Sequence, residues 1–514
     1  MSLEHVTAGE TPAAPGARAS VRDAVRAVPR PLAALLAAAT VLSLAWALFT
    51  PALQGSDETG HVAYVQHLAE TGDGPSVGLT EGGAQSQELE ELIRWHNLAP
   101  LSGVDTARPG WSDVERAAWD RIEGDLRRDD GAGPNPVGQN PPLYYGYEAV
   151  AYRVTSGFSL PTRLLAMRLA NLPLLWITIV AAWLAIGELF RRRPAPRFAQ
   201  TVGTGAVALL PMVTFMSGVV NPDNMLAALS TATLALALAA LRLGPRPAVL
   251  AGLGALAGLS VLTHGRGLAL VPAVVLVGAL VLWRGRGGPV SARARALGAV
   301  GGLALIAIGL LAATAYSNAH AGDTSFAGEL TGTGESGLND LGGFLEYVWQ
   351  FYFSPMTNMT PAPGEGLFGY RQLFVEQFLT GAFASLEVKY PDAVYRLMQV
   401  LQGLGLVLLI GAVARCWEIV RAHLAQVFVL AVFLLSLLAL LHLAAWQDLN
   451  GPEAAPLLAG RYLLPVAAVL GATVAFLVQV LPSRVRAGLG AGILALAAAL
   501  SVGGVALTVV RFHA

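Results

Sequence analysis

The sequence predicts an all-α polytopic membrane protein with about eleven transmembrane helices, on three observations. Its 514 residues are 54% hydrophobic and only 13% charged, whereas an ordinary soluble chain carries roughly 25% charged residues. Apolar runs approaching the roughly 20 residues needed to cross about 30 Å of hydrocarbon recur from residue 31 to the C-terminus. When the chain is threaded through these runs, its arginine-rich short loops all fall on one side.

Residues 1–30 are rich in Pro, Ala and Gly and carry Arg18, Arg22, Arg26 and Arg30; they read as a disordered cytoplasmic tail. The run 31–53 is long for a signal-peptide core and lacks a small-residue cleavage site, so it reads as the first transmembrane helix. Residues 54–161 form a large external loop with amphipathic juxtamembrane helices, along which Trp95, Trp111 and Trp119 are spaced. Within it, PPLYYGYEAVAYRV (141–154) reads as a helix lying at the membrane interface with its tyrosines at headgroup level. Counting 143–158 as a span instead would move RRRPAPR (191–197) to the external side.

Helices two to seven fill 162–318, with spans near 162–190, 198–219, 222–242, 246–263, 266–284 and 296–318. Residues 319–392 form a second external segment, rich in Gly and aromatics (ESGLNDLGGFLEYVWQFYFSPM, 335–356). Residues 393–514 carry helices eight to eleven near 393–414, 422–446, 460–480 and 486–510. With the N-terminus inside, the loops holding Arg191–Arg193, Arg242, Arg246, Arg284, Arg293, Arg415, Arg421, Arg484 and Arg486 are cytoplasmic. The expectation is a multi-pass plasma-membrane protein whose long loops, and working face, are extracytoplasmic.

Composition excludes some chemistry. A lone Cys416 permits no internal disulfide and no cysteine metal cluster. There is no Walker or Rossmann glycine pattern in a strand context, no Gly-x-Ser-x-Gly elbow and no His-Glu-x-x-His pair. Nothing points to nucleic acid. The glycines of GLGALAGLS are helix-packing residues.

Polar groups set in apolar context collect at the external ends of the spans. Asp57, Glu58 and His61 follow span one and share a helix face by their three- and four-residue spacing. Asn221, Pro222 and Asp223 fill the turn between spans three and four; His264 and Arg266 turn between five and six; Arg461 and Tyr462 open span ten; Arg163 and Arg168 lie in the outer part of span two. Each has an ordinary reading alone. Acids favour a helix N-terminal turn, Asn-Pro-Asp is turn and N-cap chemistry, and Arg or Tyr at a membrane rim anchors the interface. His442 and Trp446 read as packing residues. Convergence on one face is the signal, since charges near a bilayer line a cavity or pathway. One imidazole and two carboxylates also form a minimal set for a hard divalent cation, Mg or Mn, which leaves metal use open.

The order of these motifs resembles the GT-C superfamily of polyprenyl-phosphate-sugar-dependent glycosyltransferases, which includes lipid A aminoarabinose transferases and protein O-mannosyltransferases. More closely it resembles a poorly characterised bacterial membrane family of that type. That family reads roughly Pro-x-Asp-Glu-x-x-His, Gln-Pro-Pro-x-Tyr-Tyr, Asn-Pro-Asp and Arg-Tyr-x-x-Pro; here these are Ser56–His61, Asn140-Pro141-Pro142-Leu143-Tyr144-Tyr145, Asn221-Pro222-Asp223 and Arg461–Pro465. The likeness runs from about 50 to 470. Thr263-His264-Gly265-Arg266-Gly267 stands where the family often has Thr-Lys-Pro or Thr-Lys-Gly, and Ser56 replaces a common proline. Lys389 is the only lysine.

The resemblance implies a sugar donor on a polyprenyl monophosphate and an acceptor hydroxyl on a glycan, glycolipid or protein. The catalytic base is Asp57, or Glu58 if the register differs by one. Arg266, Arg461 and His264 face the departing phosphate, and His61, Tyr144, Tyr145, Asn221, Asp223 and Tyr462 complete the substrate site; a leaving phosphate held by arginines does not demand a metal, and Mg or Mn stays open. Two alternatives remain open: an O-antigen-ligase-like or polymerase-like transferase using a lipid diphosphate, and a transporter or flippase.

Overall fold

The computed structural model describes residues 28–78, 83–101, 104, 106–110, 112–191, 196–320, 340–361, 369–450 and 458–514. The expected tail through residue 27, Trp111, Arg192 and Arg193 lie outside the described residues. Among the described residues every regular element is a helix, and β pairing is limited to one isolated bridge between Phe383 and Val388.

Helix α1 (Arg30–Phe49) starts with a proline in its first turn, where the fixed φ suits the helix. It stops at Thr50, whose extended conformation is the one Pro51 imposes on the residue before it. Four short helices follow: α2 (Glu58–Thr71), α3 (Gln87–Trp95), α4 (Asp113–Ile122) and α5 (Leu143–Val154). Ser86 caps α3 by accepting from the Leu89 amide, and Ser112 with Glu115 forms a reciprocal capping box on α4. Helix α5 lies where the sequence places an interfacial helix, with Tyr144, Tyr145 and Tyr152 buried and Val150 and Val154 exposed.

A buried ionic cluster pins this loop to α6 (Leu160–Leu189). Arg163 pairs with Glu88, which also takes Arg128 at 3.0 Å, while Glu123 accepts from the Leu160 amide at the start of α6. Arg163 and Glu88 are both fully buried, so losing either would strand a charge at a cost of about 3–5 kcal/mol.

The expected span at 198–219 is not one helix. Leu210 is extended (φ −64°, ψ 126°) ahead of Pro211, and the run divides into α7 (Pro196–Ala208) and α8 (Pro211–Met216). Proline removes one ladder donor and bars the preceding residue from helical geometry. The break feeds a tight, buried turn into the bundle, with Val219, Val220 and Asn221 at 0–2% exposure.

The remaining helices are α9 (Asp223–Leu243), α10 (Pro247–Thr263), α11 (Val271–Arg284) led by a 3-10 turn Gly265–Leu270, and α12 (Ala292–His320). Then come α13 (Leu341–Tyr352), a π-helical stretch Arg371–Thr380, α14 (Asp392–Arg415), α15 (Trp417–Ala422) and α16 (Leu424–Leu449). A 3-10 segment, Gly460–Val466, leads into α17 (Ala467–Val480), and α18 (Ser483–His513) closes the chain. Nine segments among the described residues are long and apolar enough to cross a membrane, and α10, at 17 residues, is shorter. The chain is a multi-pass helical membrane protein.

The helices run alternately up and down. His513 at the end of α18 meets the Phe49 carbonyl at the end of α1 (2.9 Å), and Arg511 donates to the Leu101 and Ala107 carbonyls. At the other end, Arg242 closing α9 grips Glu188 near the end of α6 at 2.6 Å. Helices α10 and α12 touch backbone to backbone: a Cβ on Gly254 would lie 2.1 Å from the Gly302 carbonyl oxygen.

Candidate active site

Between α1 and α2 the chain turns sharply, and Asp57 takes a left-handed conformation (φ 55°, ψ 16°). Aspartate tolerates this region better than most residues, at a cost of order 1–3 kcal/mol that the surroundings must sustain. The turn sends adjacent carboxylates in opposite directions. Glu58 goes inward and is wholly buried, its oxygens bound by Arg168 Nε (2.8 Å) and Nη2 (2.6 Å) and by the Gly55 and Val220 amides. Arg168 spends its other donors on the Ala47, Thr50 and Pro51 carbonyls. Asp57 goes outward; its side chain is 52% exposed and pairs with Arg461.

From Arg461 an alternating row of charges enters the bundle. Its Nε lies 3.6 Å from Asp223 Oδ2, and Asp223 Oδ1 takes Arg266 Nη2 at 2.6 Å. Asp223 is fully buried at the start of α9, delivered there by the turn that the Pro211 break creates. The Tyr462 ring sits between the two guanidiniums, 4.1 Å from Arg266 and 5.0 Å from Arg461. His264 brings Nδ1 to 3.1 Å from the Arg266 amide and Nε2 to 3.2 Å from Arg266 Nη2. A neutral imidazole accepts from only one of these. Two aspartates and two arginines balance to zero net charge.

A second row leads from Asn221. Its side-chain amide donates to the Ser56 carbonyl and to His61 Nε2 (2.9 and 3.1 Å), and its Oδ1 accepts from the Asp223 amide. His61 Nε2 is therefore an acceptor, which fixes the proton on Nδ1, directed at the Tyr145 hydroxyl 3.0 Å away. Burial drives the His61 pKa down to about 3, Asp57 pulls against this, and Arg461 and Arg266 add to the fall. His61 is thus a neutral hydrogen-bonding group. The Tyr145 hydroxyl also accepts from Asn140 at 3.0 Å, and its ring stacks on Tyr64 with centroids 3.6 Å apart. Tyr144 accepts from the Asn221 amide and donates to Asn171. Beside it Glu148 is fully buried, which pushes its carboxyl well above the usual carboxylate range.

The structure thus gathers Asp57, His61, Tyr144, Tyr145, Asn221, Asp223, His264, Arg266, Arg461 and Tyr462 into one connected set. Glu58 belongs to the supporting layer beneath it. His442 stands apart, held by the Tyr347 and Tyr352 hydroxyls at 3.1 and 2.8 Å. Sequence reasoning did not single out Asn140, Asn171, Tyr64 or Glu148. Asn140 had a signal, as the first residue of the Asn-Pro-Pro motif, and so had Asn171, within the motif Arg-Leu-Ala-Asn-Leu-Pro at 168–173. Among the described residues no group of three His, Cys, Asp or Glu is spaced to hold a metal ion.

The chain matches no curated protein. Among solved structures it is similar to ArnT from Cupriavidus metallidurans bound to undecaprenyl phosphate, with 14% identity and a TM-score of 0.45 over 89% of this chain and 62% of that one. It is also similar to the oligosaccharyltransferase AglB from Archaeoglobus fulgidus, solved with an inhibitory peptide and a dolichol-phosphate: 14% identity, TM-score 0.45, 93% of this chain and 56% of that one. The chain therefore spans about three fifths of the length of these structures. Residues 41–470 match a family model described as "Predicted membrane protein (DUF2142)". On that match, which covers most of its length, the chain belongs to the DUF2142 family of membrane proteins.

Proposed function

We propose that the protein is a GT-C-type glycosyltransferase. It moves a sugar from a polyprenyl-monophosphate donor to an acceptor hydroxyl on a cell-envelope glycan, glycolipid or protein, at the extracytoplasmic face of the plasma membrane. The observation that carries this reading is the charge row Asp57–Arg461–Asp223–Arg266: a water-accessible carboxylate at one end, and beyond it at the same end of the bundle a buried guanidinium, Arg461, and a largely buried one, Arg266.

In the reaction the acceptor oxygen attacks the anomeric carbon, the bond from that carbon to the phosphate oxygen breaks, and the polyprenyl phosphate leaves with the bonding electrons. Asp57 takes the proton of the attacking hydroxyl; a positioned base contributes about 10²–10⁴-fold. Arg461 and Arg266 meet the charge that develops on the phosphate through charge-assisted hydrogen bonds. Both are held in place before the donor arrives, by Asp223 and by the Tyr462 ring. Preorganised donors of this kind are worth about 2.7–4 kcal/mol each. Glu58, with both oxygens engaged by Arg168 and backbone amides, is a positioning residue that sets the turn presenting Asp57. His61, Asn221, Tyr144 and Tyr145 form the neutral wall facing the acceptor. Asp57 and Asp223 are each paired with arginine, and no step of this reading runs through a metal ion.

The test is transfer and hydrolysis from a panel of polyprenyl-phosphate sugars by purified protein beside Asp57→Asn. Turnover by the wild type that the variant loses is the expected result. A variant as active as the wild type would remove Asp57 from the chemistry.

A further inference from the structure

Helix α13, in the segment before the π-helical stretch, has three distinct sides. One side packs: Tyr347 and Phe351 are buried on α16, where Tyr347 bonds His442 and lies 5.7 Å from the Trp446 ring. The next side is polar. Glu346 accepts from the Thr360 amide and Gln350 donates to the Thr360 carbonyl. On the third side Leu341, Leu345 and Trp349 recur every four residues, which places them in one stripe, and Phe353, the extended residue just after the helix, extends it by packing its ring 4.8 Å from that of Trp349. Their exposures are 58, 59, 39 and 59%. The helix has a defined start, with Asp340 capping the Gly343 amide at 2.8 Å. An ordered helix with one buried side and one bare apolar side is built for a second apolar phase.

We propose that α13 is a membrane-seated helix: its Leu341–Leu345–Trp349–Phe353 stripe lies in the boundary between headgroups and acyl chains, in the leaflet at the site end of the bundle. The partner is the lipid surface itself. Two features of the molecule select it over another protein or a second copy. The stripe belongs to a body whose outer faces are already apolar: α16, on which α13 rests at His442 and Trp446, exposes Phe428 and Leu435 further toward its other end, and α14 buries only Tyr395. The stripe also sits near the end of α16, since His442 and Trp446 lie within two turns of its last residue, Leu449. That is headgroup depth, where an aromatic flanked by aliphatics is favoured. Helix α5 and the turn after it repeat the device at the same end, with Val150 and Val154 on the helix and Phe158 just beyond it, 62, 78 and 62% exposed. Helix α13 carries no Lys or Arg, so seating depends on apolar burial and not on anionic lipid.

Seating α13 in the leaflet bears on the candidate site. Tyr352 at its end packs near Phe374 in the π-helical stretch, and Gln377 of that stretch accepts from the Gly460 amide next to Arg461 at 2.5 Å. The helix at the membrane surface and the arginine that meets the phosphate are thus linked through two contacts, Tyr352 with Phe374 and Gln377 with Gly460.

The experiment uses full-length protein in lipid nanodiscs, with Cys416→Ser removing the native thiol and a bimane label on Leu345→Cys, or on Leu341→Cys as a second position. The comparison label is Glu346→Cys on the polar side. Lipids carrying a nitroxide near the headgroup are expected to quench the stripe labels about twofold more than aqueous iodide does, with the order reversed at Glu346. Replacing neutral lipid by anionic lipid is expected to leave the pattern unchanged. Stronger quenching of both stripe labels by iodide would overturn the proposal. So would insensitivity to both quenchers, the result of cover by another part of the chain or by a second molecule. Neither readout depends on transferase activity.

Discussion

Asp57 and Glu58 are neighbours in sequence and opposites in space: one is half in water against Arg461, the other wholly buried against Arg168. The left-handed backbone at Asp57 produces the divergence. Their substitutions should separate accordingly. Glu58→Gln strands the Arg168 guanidinium and should lower stability by about 3–5 kcal/mol, read as a fall in the thermal unfolding midpoint in detergent. Asp57→Asn should keep the midpoint near wild type while transfer disappears. A Glu58 variant that is fully stable yet inactive would reverse the two roles.

Arg461 and Arg266 both touch Asp223, but only Arg461 reaches Asp57. Removing either guanidinium takes away a preorganised donor, so Arg461→Ala and Arg266→Ala should each reduce kcat/KM for the lipid-linked donor about 10²–10³-fold. Unchanged donor kinetics in both variants would dismiss the phosphate assignment.

His61 carries a pH prediction. Its folded pKa, lowered by burial to about 3, lies below the ordinary value of 6.5, so between these values the unfolded chain binds a proton that the folded chain does not. Stability therefore rises with pH across that window and is progressively lost as pH falls below about 6.5. His61→Gln should flatten this slope in unfolding midpoints recorded from pH 7 to pH 4; a slope equal to wild type would assign it to other groups.

The Tyr145 hydroxyl receives hydrogen bonds from both Asn140 and His61. Tyr145→Phe leaves the buried His61 donor without that acceptor, at about 1–3 kcal/mol, and the half-buried Asn140 donor at less. A lowered unfolding midpoint with Glu58–Arg168 intact is expected, and a midpoint equal to wild type would show that these donors find other acceptors.

Helices α10 and α12 have no room between them. Gly254→Val should push a side chain into the Gly302 backbone and reduce the yield of folded protein, whereas the same change at Gly278, which has open space around it, should not. Equal yields would mean the two helices separate freely.

The spans were legible because about twenty consecutive apolar residues match the thickness of a bilayer and exceed what a soluble core usually takes in one run. A helix at Leu143–Val154, separate from the spans, was legible because counting it as a crossing would move RRRPAPR to the external side; that Tyr144, Tyr145 and Tyr152 are buried inside the protein and not at headgroup level was not. The break in the third span was not legible, although Pro211 marks it, since an apolar average hides a single missing donor. The site residues were legible as polar groups at helix ends. Their pairing was not: nothing at Arg168 names Glu58, 110 positions earlier, and nothing in Asp-Glu says which acid faces water. That was decided by one backbone dihedral.

The ion pair between Asp57 and Arg461 joins residues 404 positions apart, and that separation shapes how the protein is made. At about 5–20 residues per second of synthesis, Asp57 precedes its partner by about 20–80 s. Glu58 meets Arg168 within the first third of the chain, so the turn is braced early, while the outward carboxylate remains without its guanidinium until the segment Gly460–Val466 ahead of α17 emerges. An incomplete chain can therefore build the cradle but not the charge row. The site becomes whole only near the end of biogenesis, when the rest of the bundle is already in the bilayer.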